Sequence, residues 1–225
     1  LALTAYAKKF EYATFMEALK KAYDSYHSIS LMEFIKKEDE YPYRVLIGTI
    51  LSARTKDELT AVVSDRLFSK APNPLELSQL SEEEIINLIY PVGFYRIKAK
   101  NIKAIAFLLL EKYQGMVPHK IEDLLRFPGV GRKTANLVLG TAFKIATISV
   151  DTHVHRISNR LGILKTKIPE ETEQDLKRIF PKEYWIPLNP YLVGHGQVIC
   201  KPISPTCSQC KINQFCHRIG VHRSR

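Results

Sequence analysis

Apolar residues recur every three to four positions along most of the chain, the spacing that lays one hydrophobic stripe along a helix. "FMEALKKAYDSY" (15–26) puts Phe15, Leu19 and Ala22 on one face. "SEEEIINLIY" opens with Ser81 and carries Glu84 three residues on, a capping box ahead of an apolar run. "RIKAKNIKAIAFLLLEKY" (96–113) predicts a long helix with Ile97, Ile102, Ile105, Leu108 and Leu109 inward and lysines 98, 100 and 103 mostly elsewhere. Prolines 42, 72, 74, 91, 118 and 128 punctuate these segments. Only "IATISV" (145–150) has the branching of a strand, and it is short. The pattern predicts an all-α protein.

Between two of these helices lies a tighter passage. "IEDLLRF" reads as a short amphipathic helix, "PGVG" as a turn, and "RKTANLVLGTAF" as a second helix burying Ala135, Val138, Leu139 and Ala142. This is the pattern of a helix–hairpin–helix. Its glycines permit a tight turn, and the amides of Val130, Gly131 and the first helical turn are expected to converge where a phosphate can sit. A Walker loop does not fit, because Lys133 does not directly follow a glycine and no buried strand leads in. An ordinary glycine corner between packed helices is the plainer alternative.

Lys133 falls in the first turn of the second helix, where the dipole disfavours a cation. An ordinary lysine titrates near ~10.4 and is no nucleophile at neutral pH. The dipole supplies about 0.3–1 kcal/mol against the charge, whereas a nucleophilic amine titrating near 7–8 requires roughly 4 kcal/mol. Desolvation must therefore supply most of any activation.

Eighteen residues on, "SVDTHVHRISNRLG" places Asp151 ahead of a helix whose apolar face is Val154, Ile157 and Leu161. An Asp there is a good N-cap. A capping carboxylate is also kept ionised, which suits a group that balances a developing cation. His153 and His155 sit at alternate helical positions, point apart and make no metal pair.

Composition and charge narrow the function. Of 225 residues, 45% are hydrophobic and 25% charged, as in a folded protein with one large core or two smaller ones. Lys and Arg total 33 against 23 Asp and Glu, a net charge of +10 that suits either a solvated surface or an acidic polymer as partner. No apolar run reaches the ~20 residues of a membrane span and no export signal is visible, so a cytoplasmic protein without membrane association is expected. The four cysteines all lie in "CKPISPTCSQCKINQFC" as C-x6-C-x2-C-x5-C. A chain of this size has little need of two disulfides in one tail, so one metal centre is expected. The spacing favours a [4Fe–4S] cluster, since zinc sites more often pair two C-x2-C knuckles across a longer spacer; on spacing alone zinc stays open. His217, beside Cys216, reads as a surface residue.

With "PGVGRKTAN", "VDTH", the cysteine tail, "ILSARTKD" and "VGFYRIKAKNI" in this order, nearly the whole chain resembles endonuclease III, the iron–sulfur family of helix–hairpin–helix DNA glycosylases. The resemblance implies two helical domains with a DNA-binding cleft between them. One would be a central six-helix domain over 35–145 with the hairpin at about 121–143; the other would join 1–34 to 146–225 and carry the cluster. It implies a bifunctional glycosylase and AP lyase of base excision repair, acting as a monomer on double-stranded DNA with damaged pyrimidines or abasic sites. Lys133 matches the family's nucleophile and Asp151 its catalytic carboxylate. Gly129, Val130 and Gly131 match the phosphate-binding hairpin, with Arg132 beside them on the DNA face. Arg54 and Phe94 fall where the family fills the gap left by a flipped base, and Cys200, Cys207, Cys210 and Cys216 match the cluster ligands. Three positions depart from the family pattern: Arg54 where glutamine is common, Phe127 where leucine is usual, and a single lysine in "KPISPT". They bear on damage preference and affinity. Two rival readings are a monofunctional mismatch glycosylase, which generally lacks the lysine, and a non-enzymatic iron–sulfur DNA-binding or redox protein, which has no need of Lys133 and Asp151 together.

Overall fold

A computed structural model describes residues 6–26 and 41–225. Helices account for the regular structure, and no strand occurs among the described residues. "IATISV" runs between helices without pairing: a short branched segment has no ladder to join when the described residues offer no second strand. Its Ile148 and Val150 are buried instead. Among the described residues no helix is long and apolar enough to cross a membrane.

The chain divides into two compact units, Ile29–Ile145 and a second made of Leu1–Ser28 with Ala146–Arg225. The domain boundary expected at 34/35 lies outside the described residues.

The central unit is built on α2 (Tyr41–Ser52), which buries Val45, Leu46, Ile47, Ile50 and Leu51 and packs against the helix that follows the hairpin. Helix α3 (Asp57–Lys70) starts on Asp57 and Glu58 and ends on Lys70, charges that complement its dipole. Helix α4 (Pro74–Gln79) is capped by Asn73, whose Oδ1 accepts from Glu76 N at 3.1 Å. In α5 (Glu82–Ile89) the capping box read from the sequence is present in both directions. Helix α6 (Tyr95–Tyr113) packs against α4 and α5. Here the sequence pattern was out of phase at its start: α6 buries Lys98, Ala99, Ile102, Ile105, Ala106 and Leu109, while Ile97 is 61% exposed. The buried set keeps a regular helical stripe, and the lysine fits because its apolar stem lies along the core while its ammonium reaches carbonyls. Helices α7 (Ile121–Leu124) and α8 (Arg132–Phe143) complete the unit. In α8, Ala135, Val138 and Leu139 are buried as expected, and Ala142 is half-buried.

The second unit packs α1 (Tyr12–Asp24) and α9 (Thr152–Leu161) on α11 (Trp185–Val198), with α10 (Pro169–Ile179) against α9. Its centre is aromatic: Phe15 lies 5.1 Å from Phe10 and 5.6 Å edge-on to Phe215, ring to ring. The stripes read from the sequence, Phe15, Leu19 and Ala22 on α1 and Val154, Ile157 and Leu161 on α9, are all buried.

Candidate functional site

The hairpin forms as a chain of short turns. Phe127 N–H donates to Leu124 O and Val130 N–H to Phe127 O, each at 3.1 Å. Gly129 has φ +78°, the left-handed region, and a Cβ there would sit 2.6 Å from Asn101 Nδ2. Phe127 is buried edge-on to Tyr113, and the Val130 side chain is buried too, so both pin the turn to the core. The expectation that the Val130 amide is open to a ligand is corrected: closing the turn consumes it. The mouth is therefore formed by Gly131 and the start of α8. Gly131 is the N-cap, exposed, with nothing within 4 Å of where its Cβ would be. Arg132, half-buried, and Lys133, exposed, are the first and second helical residues.

Asp151 caps α9. Its Oδ1 accepts from both His153 N and Val154 N at 2.9 Å. The two histidines that follow do point to different partners: His155 Nδ1 meets Thr172 Oγ1 at 2.6 Å, and His153 Nδ1 lies 3.2 Å from an Arg156 guanidinium nitrogen. Lys133 belongs to the central unit and Asp151 to the second.

Arg54 and Phe94, forty residues apart in sequence, come together. The guanidinium carbon of Arg54 stands 5.2 Å from the Phe94 ring centroid. Phe94 is 56% exposed. Both residues have left-handed backbones, φ +55° and +58°. That conformation is costly for side-chain-bearing residues, and its occurrence twice at one contact marks a constrained feature.

The four cysteines form no disulfide and line one cavity together with Ile157, Leu161, Ile199 and Ile212. Among the described residues no three His, Cys, Asp or Glu side chains gather closely enough to hold a single metal ion. Four thiol donors around one largely apolar cavity are a donor set that a metal–sulfur centre could use. The donor chemistry fits as well. Arg160 and the Arg218 amide each donate to a sulfur, those of Cys200 and Cys216, at 3.4 Å. Burial pushes the Cys210 thiol up to about 11 and raises that of Cys216, so thiolates here call for a cationic centre as counter-charge. His195, buried and held neutral by burial and by the Arg156 charge, lies 3.6 Å from Cys210 Sγ. His217 is exposed, against the Tyr6 ring.

Three contributors went unread in the sequence. Arg156 and Arg160, one turn apart on α9, hold the chain entering the cysteine loop. Arg156 donates to Cys200 O at 2.7 Å and Arg160 to Lys201 O and Pro202 O at 2.7 Å. Their i, i+4 spacing on the polar face of an amphipathic helix was the available signal. The third is Lys98, for which continuing the 102–105–109 stripe one turn back was the signal.

Comparison with known proteins agrees with this arrangement. Residues 47–182 match the model of the HhH-GPD superfamily base excision DNA repair proteins. Endonuclease III of Thermotoga maritima is 50% identical over 175 residues, 78% of this chain and 82% of that protein. Endonuclease III homolog 1, chloroplastic, of Arabidopsis thaliana is 44% identical over 186 residues, and the chain spans about half (49%) of its length. The solved structure of a trapped endonuclease III–DNA covalent intermediate, an estranged-adenine complex, superposes with a TM-score of 0.81 at 34% identity, over 92% of this chain and 95% of that one. The chain belongs to the HhH-GPD superfamily of base excision DNA repair proteins, and within it to the endonuclease III family of DNA glycosylases.

Proposed function

We propose that this glycosylase is bifunctional: it removes oxidised pyrimidines from double-stranded DNA and cuts the strand 3′ to the resulting abasic site. The observation that carries the reading is Lys133, an exposed residue at the second position of a helix entered through a left-handed glycine turn, with open space beside it at Gly131. A pyrimidine inside the duplex does not present its C1′, so the nucleotide is first extruded. Gly129, Gly131 and Arg132 hold the flanking phosphates through backbone amides and the guanidinium. Lys133 Nζ, as the free amine, attacks C1′ and the base departs with its bonding electrons, taking up a proton. The sugar ring then opens as the C1′–O4′ bond breaks, O4′ is protonated and the C1′–N link becomes a Schiff base. Loss of a C2′ proton to a base then drives β-elimination, which breaks the 3′ C–O bond and releases the 3′ phosphate. Asp151, fixed by two amides, assists the nucleophile and balances positive charge on the sugar. The covalent DNA intermediate of a structural relative supports this chemistry.

Arg54 and Phe94 fill the space left by the extruded base. The ring stacks on a neighbouring base and the guanidinium forks onto the acceptor edge of an orphaned guanine. Cys200, Cys207, Cys210 and Cys216 would hold a [4Fe–4S] cluster, whose contribution when bound is to fix the surrounding DNA-contacting loop and to sense redox state. The protein acts as a monomer wherever DNA is kept, the cytoplasm or, in a eukaryote, the nucleus or mitochondrion.

Borohydride trapping across a panel of damaged duplexes tests the reaction. A covalent adduct with oxidised-pyrimidine DNA is expected from the wild type and none from Lys133→Gln, which should still bind DNA. An adduct from Lys133→Gln would place the nucleophile elsewhere. Anaerobic protein is expected to be yellow-brown, absorbing near ~400 nm from thiolate-to-iron charge transfer. Colourless protein with stoichiometric zinc would end the cluster assignment.

A further inference from the structure

The Arg54 turn and the Phe94 loop are joined beneath their exposed side chains. Lys98 Nζ donates to Leu51 O and Ala53 O, both at 2.7 Å, and to Thr55 Oγ1 at 3.2 Å. An ammonium has three N–H groups, so these three acceptors use it fully. Two of them are carbonyls at and just beyond the C-terminal end of α2, where a cation is favoured. Thr55 carries the link across, since its Oγ1 also accepts from Gly93 N–H at 3.1 Å. The backbones touch at this point: a Cβ on Gly93 would lie 2.6 Å from Arg54 O. The far side of the loop is held by Arg66, which donates to Leu88 O at 2.6 Å and also to Tyr90 O. Lys98 itself is only 6% exposed.

This is an unusual use of a buried charge. A fold that needed only to pack α6 would place an apolar residue at this stripe position, because burying an ammonium is costly. What the charge secures is the shape of residues 51–55 and, through Thr55, their junction with residue 93. Arg54 and Phe94 lie at that junction, both in the left-handed region and stacked on each other. We propose that Lys98 is a positioning residue for lesion recognition: it locks the Arg54 turn to the Phe94 loop, so that the two side chains enter the DNA as one preformed unit. This rests on the reading above that Arg54 and Phe94 fill the gap left by the extruded base.

The test compares single-turnover excision from two duplexes, one with guanine opposite the lesion and one with an abasic-site analogue there, which gives Arg54 no base to contact. Wild type, Lys98→Met, Lys98→Arg, Thr55→Val and Arg54→Gln are measured. A hydrogen-bonded buried charge lost from the lock should slow Lys98→Met about tenfold opposite guanine. Opposite the analogue its loss should be much smaller, Lys98→Arg should recover most of the rate, and adding Arg54→Gln to Lys98→Met should cost little more. Thr55→Val, a milder change at the half-buried far end of the same link, should show the same selectivity and reports on the lock if Lys98→Met does not fold. Equal slowing on both duplexes by Lys98→Met or Thr55→Val would overturn the proposal and leave Lys98 as a support of the fold. If Arg54→Gln itself shows no selectivity between the duplexes, the gap-filling reading fails first; selective loss in Arg54→Gln without it in Lys98→Met or Thr55→Val sinks the Lys98 role alone.

Discussion

Asp151 spends one carboxylate oxygen on two backbone amides, and that geometry separates its capping from the catalytic duty proposed for it. Asparagine retains the accepting oxygen but not the charge, and it caps about as well as aspartate. Asp151→Asn should therefore change unfolding stability by less than about 0.5 kcal/mol while slowing base release on the order of a hundredfold. Thermal unfolding beside single-turnover kinetics reads both; an Asn variant as fast as the wild type would reduce Asp151 to a cap. Lys98 offers a pH signature of its own. Burial pulls its amine down to about 8, and its partners are two carbonyls and a hydroxyl, none charged. The unfolded lysine titrates near ~10.4. Between these values the unfolded chain binds more protons, so this group makes stability rise as pH climbs from about 8 toward 10.4. Below about 8 both states are protonated and its slope vanishes. Urea unfolding at neutral and alkaline pH should show the wild type gaining on Lys98→Met over that interval, and a constant difference would mean that the amine titrates normally.

At the scale of the element, the two hairpin glycines have different reasons for being glycine. Gly129 needs φ +78°, so Gly129→Ala should cost about 1–2 kcal/mol in unfolding stability. Gly131 has φ −94° and open space where a methyl would go, so Gly131→Ala should fold as well as the wild type. The methyl would instead occupy the mouth proposed above to receive a phosphate, and DNA affinity should fall. Unfolding and binding titrations run on both variants would expose the contrast; unchanged affinity in Gly131→Ala would move the phosphate elsewhere. The sequence made this hairpin legible because turn glycines, a buried helical stripe and a break between them are all local signals. The capping box at Ser81 and the Asp151 cap were legible for the same reason. Lys98 was not, because its burial depends on carbonyls some 45 residues away in the chain, and a charge at the edge of a stripe reads as solvent-facing. The Arg54–Phe94 stack is likewise a product of two loops meeting, and only the resemblance brought the pair together beforehand. The open amide ascribed to Val130 failed on a hydrogen bond that the turn makes to itself.

For the whole molecule, a net charge of +10 says that an acidic polymer is welcome but not how it is held. The dependence of affinity on salt does, because it counts the phosphates neutralised, not the total charge. If about four phosphates are engaged, log affinity should fall against log salt with a slope near −3.6, roughly a hundredfold between 50 and 200 mM. A flat response would exclude any surface that tracks the DNA backbone. The same measurement addresses why a lysine stands at the start of α8, where the dipole opposes it. A side chain that grips a phosphate contributes about 0.9 to the slope. Arg132→Gln should therefore flatten it by roughly that amount. Lys133→Gln should leave it unchanged, since a nucleophile aimed at C1′ does its work at carbon and not at the backbone charge. Measured on undamaged duplex, where no covalent step intervenes, the two neighbours should separate cleanly. If Lys133→Gln flattens the slope as much as Arg132→Gln does, Lys133 is a phosphate ligand, and the Schiff-base chemistry must be sought at another amine.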